Sequence, residues 1–124
     1  MSISGTYDLN KLPPIYDDML SIAFGSTDPE VLASASPATY VSPGMNQSAL
    51  FYAEDDMPGV TGQALGYGKR LQKNGNSVHL EMLPEVTHVT EIAEVTPDNP
   101  YHVTALAIYS YVNGASGRNT PYAR

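Results

Sequence analysis

A short apolar run, Ser48–Ala53, narrows the choice of fold more than any other segment of this sequence. Its apolar side chains follow one another without alternation, which fits a strand that is buried on both faces. Such strands are typical of parallel sheets, which helices cover on both sides. The run ends abruptly at Glu54, Asp55 and Asp56. Because functional groups gather at the carboxyl ends of strands in open α/β sheets, this acidic cluster is a first candidate site.

The segments around this run predict an alternation of strands and helices. Two more strands are expected, a short one at Ser2–Gly5 and an alternating one at Ser77–Leu83. Helical spacing, with proline or glycine at the ends, predicts helices over residues 15–24, 29–36, 61–74 and 100–113. This order indicates an α/β fold with a doubly wound parallel sheet. About three strands with flanking helices make only a partial sheet, since parallel sheets normally have covered faces and protected edges.

Several local features are predicted along with these elements. The first helix takes its apolar positions from Ile15, Met19, Ile22 and Ala23, with Leu20 beside them. In the last helix, Asn99 is expected as the N-cap and Pro100 as the first helical residue, with Gly114 at the end. Residues 84–88 are expected to form a loop. The composition of residues 115–124 predicts a flexible tail, which leaves residues 1–114 as the domain.

Composition excludes several classes of function. Six Lys and Arg residues against 13 Asp and Glu residues give a net charge of −7, which is a poor basis for binding nucleic acid. The absence of cysteine excludes disulfides, thiolate nucleophiles and cysteine-ligated metals. With only three histidines, a histidine-rich metal centre is not expected. The sequence shows no apolar run long enough to span a membrane and no signal peptide. A soluble protein, cytoplasmic by default, is therefore expected.

Two residues stand out as a candidate catalytic pair. Asp56 follows one predicted strand and His88 follows the next, with one helix between them. A right-handed crossover brings the ends of two such strands to the same rim of the sheet, where an Asp can orient a His that acts as a base. Two plainer interpretations stay open: both residues could be ordinary turn or surface residues, and the cluster at 54–56 could bind Ca²⁺ or Mg²⁺, although it lacks the spacing of a calcium loop.

The order of these motifs resembles the carboxyl-terminal part of an α/β-hydrolase. The closest likeness is to the esterase/lipase group that includes carboxylesterases and kynurenine-formamidase-like enzymes, in which a G-E-x-D-type turn presents the acid and a P-x-x-x-H loop presents the base. Here the turn reads Ala53-Glu54-Asp55-Asp56, with alanine in place of the family's glycine, and the loop runs from Pro84 to His88. The segments Ile3–Leu9 and Asp28–Pro37 also resemble this group, so the likeness covers about residues 2–113.

The resemblance implies a Ser-His-Asp triad with Asp56 as the acid and His88 as the base. Asp55 is the alternative acid, although the spacing favours Asp56. The implied reaction is hydrolysis of a small carboxylic ester or, as a second choice, an arylformamide, and it needs neither a metal nor an organic cofactor.

The family's nucleophile lies on a G-x-S-x-G elbow, and no serine of this sequence is in that pattern. The resemblance thus implies that the chain begins just after the nucleophile helix, and that this truncated portion alone is inactive. A companion chain or another part of the same protein would complete the triad. The alternative is a non-catalytic, hydrolase-derived module for binding or assembly, which could form an oligomer.

Overall fold

Three parallel strands form one sheet in the computed structural model, which describes residues 1–115. Strands β1 (Ser2–Ile3), β2 (Ser48–Asp55) and β3 (Val78–Thr87) lie in the order β1-β2-β3. All pairings are parallel, with Ile3 opposite Phe51 and Leu50 opposite Leu80. The predicted parallel α/β sheet is confirmed. The predicted flexible tail lies outside the described residues, apart from its first residue.

Five α-helices accompany these strands in the described part of the chain. They are α1 (Asp17–Phe24), α2 (Pro29–Ala35), α3 (Val60–Lys73), α4 (Thr90–Ala93) and α5 (Val103–Ala115). Helix α3 connects β2 to β3. Helix α2 is capped by the preceding Asp28, whose side chain accepts the Glu30 N–H at 2.8 Å. The sequence did not indicate α4. No helix within residues 1–115 is both long and apolar enough to cross a membrane.

The alternation of side chains along β2 builds one hydrophobic cluster on each face of the sheet. On one face, Phe51 and its neighbours two residues away pack against α5 through Ala107. On the other face, Leu50 packs against α3 through Ala64 and Leu71. The central strand is therefore buried on both sides, as its uninterrupted apolar composition predicts.

The N-terminal segment forms a separate cluster, and here the predicted apolar face of α1 differs from the structure. Leu20 is buried with Leu9 and Leu32, whereas Ile15, Met19 and Ile22 are exposed. The reason is the small size of the cluster that α1 covers. A helix that meets so few partners buries one row of side chains and leaves the rest of its apolar residues in water.

The start of the last helix also differs from the sequence prediction. Asn99 does not act as the N-cap, because its side-chain amide donates to the Glu94 carbonyl at 3.2 Å. Its own carbonyl accepts the His102 N–H at 3.2 Å in a separate turn, and α5 begins only at Val103. The Asn-Pro pair therefore forms a turn that precedes the helix. Helix α5 then continues to Ala115, one residue past the predicted end at Gly114.

Candidate active site

The register of β2 and β3 brings Asp56 and His88 together. The two strands pair regularly as far as Ala53 and Leu83, and pair again at Asp55 and Thr87. Four steps along β3 thus match two steps along β2, which is a bulge. The next residue after Asp55 is Asp56, and the next after Thr87 is His88. The bulge therefore delivers the two side chains to the same position on the carboxyl edge of the sheet.

This bulge corrects the prediction of a loop over residues 84–88. Strand β3 continues to Thr87, although Pro84 has no N–H to donate to the ladder. At Glu85 the backbone adopts a positive φ of 59°, and the Glu85 N–H donates a hydrogen bond to the Glu54 carboxylate at 2.8 Å. The proline and the left-handed residue interrupt the ladder, and pairing resumes just before His88.

The centre of the site is a hydrogen bond between Asp56 Oδ1 and His88 Nδ1, at 2.7 Å. The Asp56 side chain is fully buried, whereas that of His88 is 36% exposed. Two backbone groups also donate to Asp56: Oδ1 accepts the Met57 N–H at 2.9 Å, and Oδ2 accepts the Ala53 N–H at 3.2 Å. These donors stabilise a carboxylate in a place where a bare charge would be costly.

Two further side chains, Ser4 and Glu91, complete a buried polar cluster. The Ser4 hydroxyl lies 2.5 Å from Asp56 Oδ2 and 2.8 Å from Glu91 Oε2. Both residues are buried, and Glu91 Oε1 lies 3.9 Å from His88 Nδ1. Ser4 follows β1 directly with φ at 42°, a left-handed conformation that side chains rarely adopt. Four connected groups thus meet at the ends of the three strands.

The surroundings of this cluster shift the pKa of the Glu91 carboxyl. Burial raises the pKa of the Glu91 carboxyl above its ordinary value of 4.5, and the negative charge of Asp56 adds to this increase. The hydrogen bond with Ser4 and the proximity of His88 lower the same pKa, but by less. Folding therefore shifts the ionisation equilibrium of the Glu91 carboxyl toward its neutral form.

The Asp56–His88 pair has the geometry of an acid that orients a base. With Nδ1–H donated to Asp56, Nε2 is the ring nitrogen that remains to take and return a proton. The buried carboxylate fixes this tautomer and stabilises the imidazolium that forms when Nε2 is protonated.

The neighbouring acidic residues that the sequence singled out do not join this pair. Asp55 remains in β2, exposed and opposite Thr87, so the structure brings Asp56 and not Asp55 to His88. Glu54 accepts the Glu85 N–H. The carboxylates of Glu54 and Asp56 thus have different partners. No group of three or more His, Asp or Glu side chains in residues 1–115 could hold a metal ion.

Sequence reasoning missed Ser4 and Glu91. Ser4 is one of many serines in the sequence. Only the pairing of β1 with β2 shows that its side chain lies next to Asp56. Glu91 carried a usable signal, because it lies three residues after His88, a spacing that puts two side chains on the same face of a helical turn.

Comparisons with solved structures find this fold within an esterase. The native form of Est2, a thermophilic esterase from the Planctomycetes species Thermogutta terrifontis, matches with a TM-score of 0.64 at 15% identity, over 98% of this chain and 43% of the esterase. Its butyrate-bound form gives 0.63 at 15% identity, over 98% and 44%. The form phosphoramylated by tabun gives 0.60 at 15% identity, over 91% and 40%.

The chain spans less than half the length of the esterase that it matches. Searches against protein-family models and against curated proteins found no match. The structural likeness covers nearly the whole of this chain, including the parallel sheet and the helices on both of its faces. The chain therefore has the fold of the carboxyl-terminal part of an esterase, a partial α/β-hydrolase fold.

Proposed function

We propose that this chain supplies the acid and the base of a Ser-His-Asp triad in an enzyme that hydrolyses carboxylic esters. Asp56 is the acid and His88 is the base. The observation that carries the proposal is the 2.7 Å hydrogen bond between Asp56 Oδ1 and His88 Nδ1, at the carboxyl edge of a parallel sheet. The likeness of the fold to part of an esterase supports the same assignment.

In the proposed reaction, His88 Nε2 takes the proton of a serine hydroxyl as its oxygen attacks the ester carbonyl carbon. The imidazolium is stabilised by Asp56 and then gives its proton to the departing alcohol. The acyl-enzyme that remains is hydrolysed by water, with His88 again taking and returning a proton. This chemistry uses neither a metal nor an organic cofactor.

The nucleophile and the oxyanion donors must come from elsewhere, because none of the 124 residues forms a G-x-S-x-G elbow. We place them in a companion polypeptide or in another part of a longer protein. Short-chain esters are the first substrates to test, since Est2 has been solved with propionate and with butyrate bound.

Labelling with a serine-reactive fluorophosphonate tests the proposal. The affinity-tagged gene product is purified from its source cells, labelled, and assayed with p-nitrophenyl butyrate. We expect the label on a larger or companion polypeptide, and no label on the recombinant 13.3 kDa chain alone. Asp56→Asn and His88→Ala should slow labelling about 10³-fold or more, because the serine loses its base.

Asp55→Asn is the matched control, since it removes the adjacent, exposed carboxylate, and it should leave the labelling rate unchanged. Labelling that is equally fast in all these variants would contradict the proposed roles. The absence of any label, with a folded 13.3 kDa chain, would leave the second candidate function.

That second candidate is a non-catalytic module for binding or assembly, and the exposed apolar side of α1 favours it. Met19 and Ile22 on α1, and Ile15 in the turn just before it, follow helical spacing and are all more than half exposed. Exposed apolar patches of this kind mark interaction surfaces. Under this alternative the recombinant chain sediments as an oligomer, Ile22→Ser returns it to a monomer, and no fluorophosphonate label is found.

A further inference from the structure

Ser4 has one hydroxyl proton but lies within hydrogen-bonding distance of two carboxyl groups. Its oxygen is 2.5 Å from Asp56 Oδ2 and 2.8 Å from Glu91 Oε2. A hydroxyl can donate to one of these oxygens and must accept from the other. If both carboxyl groups were ionised, one short contact would place two acceptors against each other with no proton between them.

The contacts of the two carboxyl groups identify which one carries the extra proton. Asp56 receives two backbone N–H groups, from Ala53 and Met57, and faces His88 Nδ1. This is an environment for a carboxylate. Glu91 is 2% exposed and has the Ser4 hydroxyl as its hydrogen-bonding neighbour, with His88 farther away at 3.9 Å. The extra proton is therefore on Glu91.

We propose that Glu91, as a neutral acid, is a positioning residue for the Asp56–His88 pair and acts through the hydroxyl of Ser4. Glu91 Oε2–H donates to Ser4 Oγ, Ser4 Oγ–H donates to Asp56 Oδ2, and Oδ1 is thereby turned toward His88 Nδ1. The inference rests on the proposed function, because it assigns Glu91 a role in orienting the base of that site. Burial and the charge of Asp56, which both raise the pKa of Glu91, support the neutral form.

Ionisation of Glu91 would reverse the effect of this chain of hydrogen bonds. Ser4 could then satisfy only one of two carboxylates, and a second negative charge would lie near His88. The titratable groups that face Glu91 are Asp56, after β2, and His88, after β3. Helix α5 packs against α4, and His102, in the turn that precedes α5, has its Nε2 3.8 Å from the Glu94 carboxylate.

Nuclear magnetic resonance of the whole chain tests the inference without a nucleophile. The ¹³C resonance of the Glu91 carboxyl reports its protonation, and the low-field proton on His88 Nδ1 reports its hydrogen bond to Asp56. We expect the Glu91 carboxyl to titrate above pH 4.5, and the low-field proton to shift as Glu91 ionises. In Glu91→Gln, whose amide still donates to Ser4, the low-field proton should persist at a position that this ionisation no longer changes.

Two variants that break the hydrogen-bonded chain, Ser4→Ala and Glu91→Leu, should lose or broaden the low-field proton. Glu30→Gln, which changes an exposed carboxylate on α2, is the matched control and should behave as the wild type. If Glu91→Leu does not fold, the Glu91 titration and Glu91→Gln still decide the question.

The outcomes separate this inference from the proposed function. If the low-field proton is present in the wild type but unaffected in Ser4→Ala, or if Glu91 titrates at its ordinary value, the inference is wrong and the Asp56–His88 pair stands. If the low-field proton is missing from the wild type, the pair itself is absent and the proposed function fails with the inference.

Discussion

A buried carboxylate is stable at position 56 because donors surround both of its oxygens. Backbone N–H groups of Ala53 and Met57 supply two hydrogen bonds, and the side chains of Ser4 and His88 supply two more. Without these partners, an unpaired buried charge would cost several kcal/mol. The orientation of His88 is thus fixed by a carboxylate whose own position is fixed by hydrogen bonds.

Glu91 should make the stability of the chain depend on pH. Its pKa is raised in the folded protein, so between 4.5 and the raised value the folded state binds more protons than the unfolded state. The free energy of unfolding therefore decreases as pH rises through this window. The stabilising contribution is complete below pH 4.5 and is lost above the raised pKa.

Urea unfolding between pH 4 and pH 9, in parallel on the wild type and on Glu91→Gln, measures this contribution. The difference in unfolding free energy, wild type minus variant, should fall as pH rises, because glutamine does not titrate. A difference that stays constant, or that grows with pH, would show that Glu91 is not a buried neutral acid.

At the scale of elements, the site depends on turns that end strands and begin helices. Gly59, at the start of α3, has a φ of 83° and lies three residues after Asp56. A Cβ at this position would lie 2.7 Å from Pro13 Cδ. The left-handed conformation and the close approach of Pro13 both require glycine here, and they fix the direction in which the chain leaves Asp56.

Alanine at two glycines of the same region should therefore have opposite effects. Gly59→Ala should lower the free energy of unfolding by about 1–3 kcal/mol, the usual cost of such backbone strain. Gly66→Ala, in the open interior of α3, should raise it by up to about 1 kcal/mol, because alanine favours the helix. Urea unfolding at fixed pH compares the two. Equal effects would contradict the strain assigned to Gly59.

The elements also show why only part of the fold and site could be predicted from the sequence. Parallel strands end at one rim, so Asp56 and His88 could be paired from their places after β2 and β3 alone. The bulge that extends β3 could not be foreseen, because Pro84 normally ends a strand. The role of Asn99 was also hidden, since its side chain bonds to Glu94 in a turn that no local pattern indicates.

The buried face of α1 could not be predicted from local pattern for a similar reason. Ile15, Met19 and Ile22 have helical spacing, but Leu20 lies on a different face of the same helix. Which of the two faces is buried depends on the apolar residues that pack against the helix from elsewhere in the fold. The contact between Ser4 and Glu91 could not be predicted from local pattern either. Their meeting depends on three separate strand ends, which are far apart in the sequence.

At the scale of the whole molecule, the chain combines the Asp56–His88 hydrogen bond with part of an esterase fold. It spans 43% of the esterase that it matches, yet both faces of its sheet are covered by helices that it supplies itself. This arrangement predicts that the Asp56–His88 hydrogen bond forms in the isolated chain, before any nucleophile is present.

The most direct test of this claim is a proton spectrum of the isolated chain, in search of the low-field resonance of His88 Nδ1–H. The wild type and Asp55→Asn should both show it, because Asp55 has no part in the pair. Asp56→Asn should lose it, because the amide cannot replace the carboxylate as a charged acceptor. A resonance that survives in Asp56→Asn, or one that disappears in Asp55→Asn, would contradict the account.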